Sequence, residues 1–143
     1  MEQTPSANID RLGSQMSGEE TIRQIETNES HDLISAEKVD GTNVYGADDS
    51  HMGHVKSVMI GKRDGKVRHA VLSIGGFLGM GDRYHSVPWE KLDYDTKLGG
   101  YKLNVTEDEL KGAPTFDESE VGTAFDRPYE ERVYGYYGVP LYW

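Results

Sequence analysis

Large apolar residues are thin over residues 1–30 and recur in short clusters from Leu33 onward, separated by turn-forming residues. In the first stretch, Ser17-Gly18-Glu19-Glu20 has the Ser-x-x-Glu form of a capping box, and Ile22 and Ile25 follow. Two isoleucines make too narrow a stripe to hold a short helix without packing. Ser35 is placed to cap one turn over Ala36 to Val39, ended by Gly41. Strand-like runs follow at Thr42–Tyr45, Val55–Gly61, Val67–Ile74, Tyr84–Trp89, Lys91–Tyr94 and Tyr101–Val105. Asp48-Asp49-Ser50 separates the first two as a turn. Asp64-Gly65, between the second and third, is a strong hairpin signal. Pro88 cannot donate to a ladder and belongs at an edge or bulge. Thr106-Glu107-Asp108-Glu109 is a second capping box, opening a short helix that stops at Gly112 and Pro114.

Five or six short strands, with no helix long enough for a crossover, predict an all-β unit of antiparallel strands. A unit of this size gains from closing into a small β-barrel, because closure removes exposed edges. The expected core is Val44, Val55, Val58, Ile60, Val71, Leu72, Ile74, Val87, Leu92 and Leu103. The organisation expected is a disordered acidic segment at 1–30, the barrel with one short C-terminal helix at 31–113, and an acidic, aromatic-rich tail at 114–143. Both tails are expected to be flexible flanks of the barrel, although the apolar density from Val133 to Trp143 would let that stretch dock on it in an extended form.

One segment separates this chain from a generic small barrel. Gly75-Gly76-Phe77-Leu78-Gly79-Met80-Gly81-Asp82-Arg83 leads into Val87-Pro88-Trp89, after Gly41-Thr42-x-Val44-Tyr45-Gly46 and Gly53-x-Val55. Glycine at this density marks backbone at positive φ or in close approach, so Gly75, Gly76, Gly79 and Gly81 are expected to be structural. With these motifs, residues 31–113 resemble a PRC-barrel domain of the bacterial stand-alone type. The family includes the cytoplasmic domain of the photosynthetic reaction-centre H subunit and the C-terminal half of a ribosome maturation factor. The resemblance implies a docking and assembly module without catalysis of its own. The membrane helix of the first relative and the extra domain of the second have no counterpart in residues 1–30, so neither specific role carries over.

Charge sharpens this picture. The net charge of −10 divides unevenly. Residues 1–33 hold seven acids and two bases, and residues 106–143 hold nine acids and three bases. Residues 34–105 are close to neutral, with nine acids and ten bases. Acidic flanks repel nucleic-acid phosphates and anionic lipid. The chain has no cysteine, no apolar run of about 20 residues, and no basic-then-apolar leader at its start. A cytoplasmic protein without membrane insertion is the expectation.

Candidate chemistry is sparse. Asp48, Asp49, His51 and His54 form the densest set of ligand-type residues, yet a strand would turn His51 and His54 to opposite faces. The Gly-rich segment lacks the Gly-Lys-Ser/Thr ending of a phosphate loop, and its Asp82 would repel phosphate. Lys62, Arg63, Lys66 and Arg68 make a basic hairpin tip, without interleaved aromatics for base stacking. No nucleophile stands in a recognisable elbow, and His69 and Ser73 have nothing to orient them. The expectation is therefore no enzyme, no cofactor, no metal and no catalytic residue. Five of the nine tyrosines lie between Tyr129 and Tyr142. Phe77, Leu78, Tyr134, Tyr136, Tyr137, Tyr142 and Trp143 are the candidate partner-binding residues, for a protein partner or a second copy in a homodimer. An RNA- or ribosome-associated factor is the alternative function, and a metal or small-molecule sensor the second.

Overall fold

The computed structural model describes residues 32–75 and 83–143. The chain divides at Lys38 into two units, and the sheet lies wholly in the second, Val39–Trp143. The elements are α1 (Ala36–Val39), β1 (Asn43–Tyr45), β2 (His51–Ile60), β3 (Val67–Ile74) and β4 (Tyr84–Pro88). A 3₁₀ turn at Trp89–Lys91 leads to β5 (Leu92–Asp95), β6 (Gly100–Leu103), α2 (Glu107–Gly112) and β7 (Thr115–Phe116). A 3₁₀ segment, Glu118–Phe125, then enters α3 (Arg127–Tyr137).

The strands form one sheet in the order β5-β6-β1-β2-β3-β4-β7. Its edges are β5 and β7, and among the described residues no pairing of these two closes the ladder. The expected all-antiparallel closed barrel is thus corrected to an open, β-rich sheet with helices. One pair, β1 with β6, is parallel, with Val44 opposite Tyr101. The Asp64-Gly65 hairpin forms as expected: Gly61 N–H donates to Lys66 C=O at 2.9 Å, and Lys66 N–H to Asp64 Oδ1 at 3.0 Å. Gly53 is required by close approach, because a Cβ there would sit 1.9 Å from the Ser73 carbonyl oxygen on β3. Pro88 pairs with His69 but lies beyond the two residues of β4 that β7 reaches, so its missing N–H costs no ladder bond.

β3 is central and buried on both faces, which explains its near-continuous apolar run. Residues directly opposite in antiparallel strands share a face. Ala70 opposite Val87, with Leu72 and Ile74, therefore faces the main core of Val44, Val55, Leu103 and Leu110. His69, Val71 and Ser86 face the other way. Two expected core residues are corrected. Val58 is only half-buried and Ile60 is 49% exposed. Register shifts between Val55 and Ser57 and between Met59 and Ile60 reset the in–out alternation of β2.

The expectation of a flexible tail at 114–143 is overturned by β7, the 3₁₀ segment and α3. Tyr129, Val133 and Tyr137 recur every four residues and are buried. That spacing makes one helical stripe. Pro128 stands in the first turn, where its missing N–H costs nothing. Gly138, at φ 69°, ends the helix in the left-handed conformation. Residues 127–137 are therefore helical rather than extended. No helix among the described residues is long and apolar enough to cross a membrane.

Candidate protein-docking surface

α3 lies on the face of β3 and β4 that carries His69, Val71 and Ser86. The Phe116 ring of β7 meets Tyr129 edge-on at 5.9 Å. The Tyr134 hydroxyl donates to the Arg68 carbonyl on β3. Glu130, 7% exposed, sits between β3 and the chain's last residues. Its Oε2 is 3.8 Å from His69 Nδ1, and its Oε1 is 3.9 Å from Arg68 Nη1. The same Oε1 accepts from Trp143 Nε1 at 3.3 Å.

This seam is polar and incompletely paired. Among the described residues, His69 Nδ1 and Nε2, Arg68 Nε and the Tyr137 hydroxyl are buried without a hydrogen bond. The Ser86 and Tyr129 hydroxyls are likewise buried without a hydrogen bond, although Ser86 acts to lower the tyrosine's pKa. Burial, the larger effect, pushes that pKa up. Burial also lowers the His69 pKa to about 4, aided by the Arg68 charge, so its imidazole is neutral at pH 7. Tyr134 and Tyr137 are held above the ordinary tyrosine range, chiefly by burial. His69 is 1% exposed.

The outer rim of the seam is a cation–aromatic patch. The Trp143 ring lies 4.6 Å from the Arg68 guanidinium and 5.7 Å from that of Arg127. Lys66 Nζ is 5.2 Å from the centre of the Tyr142 ring. The two rings meet edge-on at 4.7 Å, and Arg127 Nη2 donates to the Trp143 carbonyl at 2.8 Å. Aromatics thus do stand among the basic side chains of the hairpin, brought there from 76 residues downstream of Lys66. Tyr142 remains 48% exposed, and Lys62, Arg63 and Lys66 are exposed.

The Asp48–His54 set is occupied locally. Asp48 Oδ1 accepts from the Ser50 hydroxyl at 2.6 Å and the Ser50 N–H at 3.1 Å, which lowers its pKa. Asp49 Oδ1 takes Lys102 Nζ at 2.8 Å. His51 Nε2 is 3.1 Å from Asn43 Oδ1, and its ring meets Tyr45 edge-on. A half-open cleft of about 440 Å³ lies between this turn and the start of α2, floored by Met52 and Val105. Among the described residues, no three histidine or carboxylate groups are arranged to hold a metal ion.

The candidate binding residues separate by position. Tyr134 and Tyr137 are buried within the chain's own seam, and the Tyr136 hydroxyl donates to the Glu109 carbonyl at 2.6 Å. Tyr142 and Trp143 meet the hairpin. Phe77, Leu78, Gly76, Gly79 and Gly81 lie outside the described residues. Gly75 is described, and its φ is not in the left-handed region. Sequence reasoning missed Glu130 and Arg127 as members of the seam. The four-residue recurrence of Tyr129, Val133 and Tyr137 was the signal that could have placed both on a docked helix.

Comparison with curated proteins found no match. The family model of the PRC-barrel domain matches residues 31–110, from just before α1 into α2 and through all the described strands but β7. That is more than half of the sequence, and the chain belongs to the PRC-barrel domain family.

Proposed function

We propose that this chain is a non-enzymatic protein-binding or assembly adaptor. The family match carries the reading, because the PRC barrel is a protein-interaction domain. The patch of Tyr142, Lys66 and the hairpin tip supports it by offering an exposed ring among exposed cations at the rim of the sheet. Aromatic and cationic side chains are the anchors that interfaces favour. The test is affinity capture from the native cell with the tagged full-length chain, alongside a Lys66→Glu/Tyr142→Ala variant. A protein retained by the first and lost by the second is expected. Equal recovery by both would remove the patch from the reading, and no specific protein with either would remove the adaptor itself.

The RNA-associated alternative draws on the same rings, since single strands are held by basic grooves with stacking aromatics. Fluorescence anisotropy with labelled oligouridylate separates the two. Salt-sensitive binding that Tyr142→Ala weakens would favour RNA, and no binding would favour protein.

A further inference from the structure

We propose that the partner of the basic hairpin patch is a second copy of this chain, presenting its acidic 3₁₀ segment, residues 117–126. The inference rests on the adaptor reading and names one occupant of that surface. Two surfaces of the molecule complement each other in charge and in apolar exposure. The first is the β2–β3 hairpin with its rim. It presents Lys62, Arg63 and Lys66, none of which forms an ion pair with a described residue. The acid within the tip, Asp64, has its Oδ1 turned back onto the Lys66 N–H. Beside these cations stand two uncovered apolar groups, Ile60 and Tyr142.

The second surface carries the opposite charge. Residues 117–126 hold four acids and no base. Asp117 and Glu120 are engaged locally, capping the segment and lying 3.8 and 3.7 Å from Arg83. Glu118, one of whose oxygens accepts from the Tyr84 hydroxyl, and Asp126 are both exposed. Four residues apart on the same segment, Val121 is 56% and Phe125 72% exposed. A large aromatic left this open beside exposed carboxylates fits a partner that is apolar and basic at once. The hairpin patch has that composition.

The segment and the hairpin are different surfaces, so each copy carries both halves of the contact. The contact is small and its charges are exposed, so it should weaken as salt shortens the screening length.

The test is sedimentation velocity on the full-length chain over a concentration series. Salt is set at about 50 mM and about 500 mM, where charges are screened over roughly 14 and 4 Å. Two charge-reversed chains are compared: Lys62→Glu/Arg63→Glu/Lys66→Glu, and Glu118→Lys/Asp126→Lys. Wild type should self-associate at low salt and dissociate at high salt. Each reversed chain alone should associate about tenfold more weakly or worse: the first sets an acidic hairpin against an acidic segment, and the second leaves its segment with no net charge to attract the basic hairpin. The two reversed chains mixed should recover association, because the unaltered basic hairpin of one still meets the unaltered acidic segment of the other. Phe125→Ser, at a solvent-facing position, should weaken association without lowering the melting temperature. A wild-type chain that stays monomeric throughout overturns the inference, as does self-association that both reversals leave intact. Capture of a host protein or RNA by that monomer would give the patch a different occupant. The adaptor reading would survive capture of a protein and not capture of RNA alone.

Discussion

The two faces of the β3–β4 pair are covered in opposite ways. On one face Ala70, Leu72 and Val87 meet Val55 and Leu110, all fully buried. His85, buried on this face, has its Nε2 3.2 Å from the Leu110 carbonyl, within reach to donate, and its Nδ1 without a partner. On the other face His69 and Ser86 meet Tyr129, Glu130 and Tyr137, and polar atoms stay unpaired. An apolar contact loses only what is removed from it, whereas a polar seam carries the desolvation cost of every group it fails to pair. The first face therefore holds the fold, and the second holds α3 with less margin. A helix held this way responds to small substitutions more readily than the main core does.

The sharpest break in the comparison is Leu72→Ala. It should cost about 2–5 kcal/mol, because a fully buried leucine leaves a cavity in a close-packed core. Urea unfolding should show the midpoint falling for sheet and α3 together. A loss below about 1 kcal/mol would mean this face is not what holds the fold.

Acid should act first on the seam. The His69 pKa is lowered to about 4, so from about pH 6.5 downward the unfolded chain binds a proton that the folded chain refuses. That contribution to stability is present at neutral pH, is lost as pH falls from about 6.5 to 4, and amounts to about 3 kcal/mol in full. His85, also lowered by burial, adds in the same direction. Urea unfolding at a series of pH values should give a slope that His69→Leu reduces and a core substitution leaves unchanged. An unchanged slope in His69→Leu would acquit the seam of acid sensitivity.

The smallest effect tests α3 as a helix. Gly135 lies in its interior, exposed, with open space where a Cβ would stand. Gly135→Ala should stabilise by about 0.5–1 kcal/mol. A destabilised variant would argue against a helical 127–137.

Much of the first face is legible in the sequence and little of the second. The bounds of β3 follow from its largely apolar run between Gly65 and Gly75, the hairpin from Asp64-Gly65, and α2 from its capping box, with Thr106 Oγ1 accepting from Glu109 N–H at 3.0 Å. These signals are local. β1 pairing in parallel with β6 is not local, and alternation alone does not encode it. α3 escapes because Gly135, Gly138 and Pro140 read as punctuation, while only tertiary burial rewards the Tyr129–Val133–Tyr137 stripe. The cation–aromatic patch joins Lys66 and Arg68 to Arg127 and Trp143 across the sequence, so no spacing rule exposes it. The Gly-rich segment works in the opposite sense: it points to the family, while most of it lies outside the described residues.

The parallel pairing of β1 with β6 also sets an order in time. Val44 meets Tyr101 across 57 residues of chain, whereas Ile60 meets Val67 across seven. Closing the longer loop costs roughly 2 kcal/mol more chain entropy, so the hairpins β2–β3 and β5–β6 form before the two halves of the sheet find each other. During that interval the inner edges of β1 and β6 stand bare, each a template for pairing with another chain. The moment of greatest aggregation hazard for this protein is therefore late in folding, when most of its hydrogen bonds are already made.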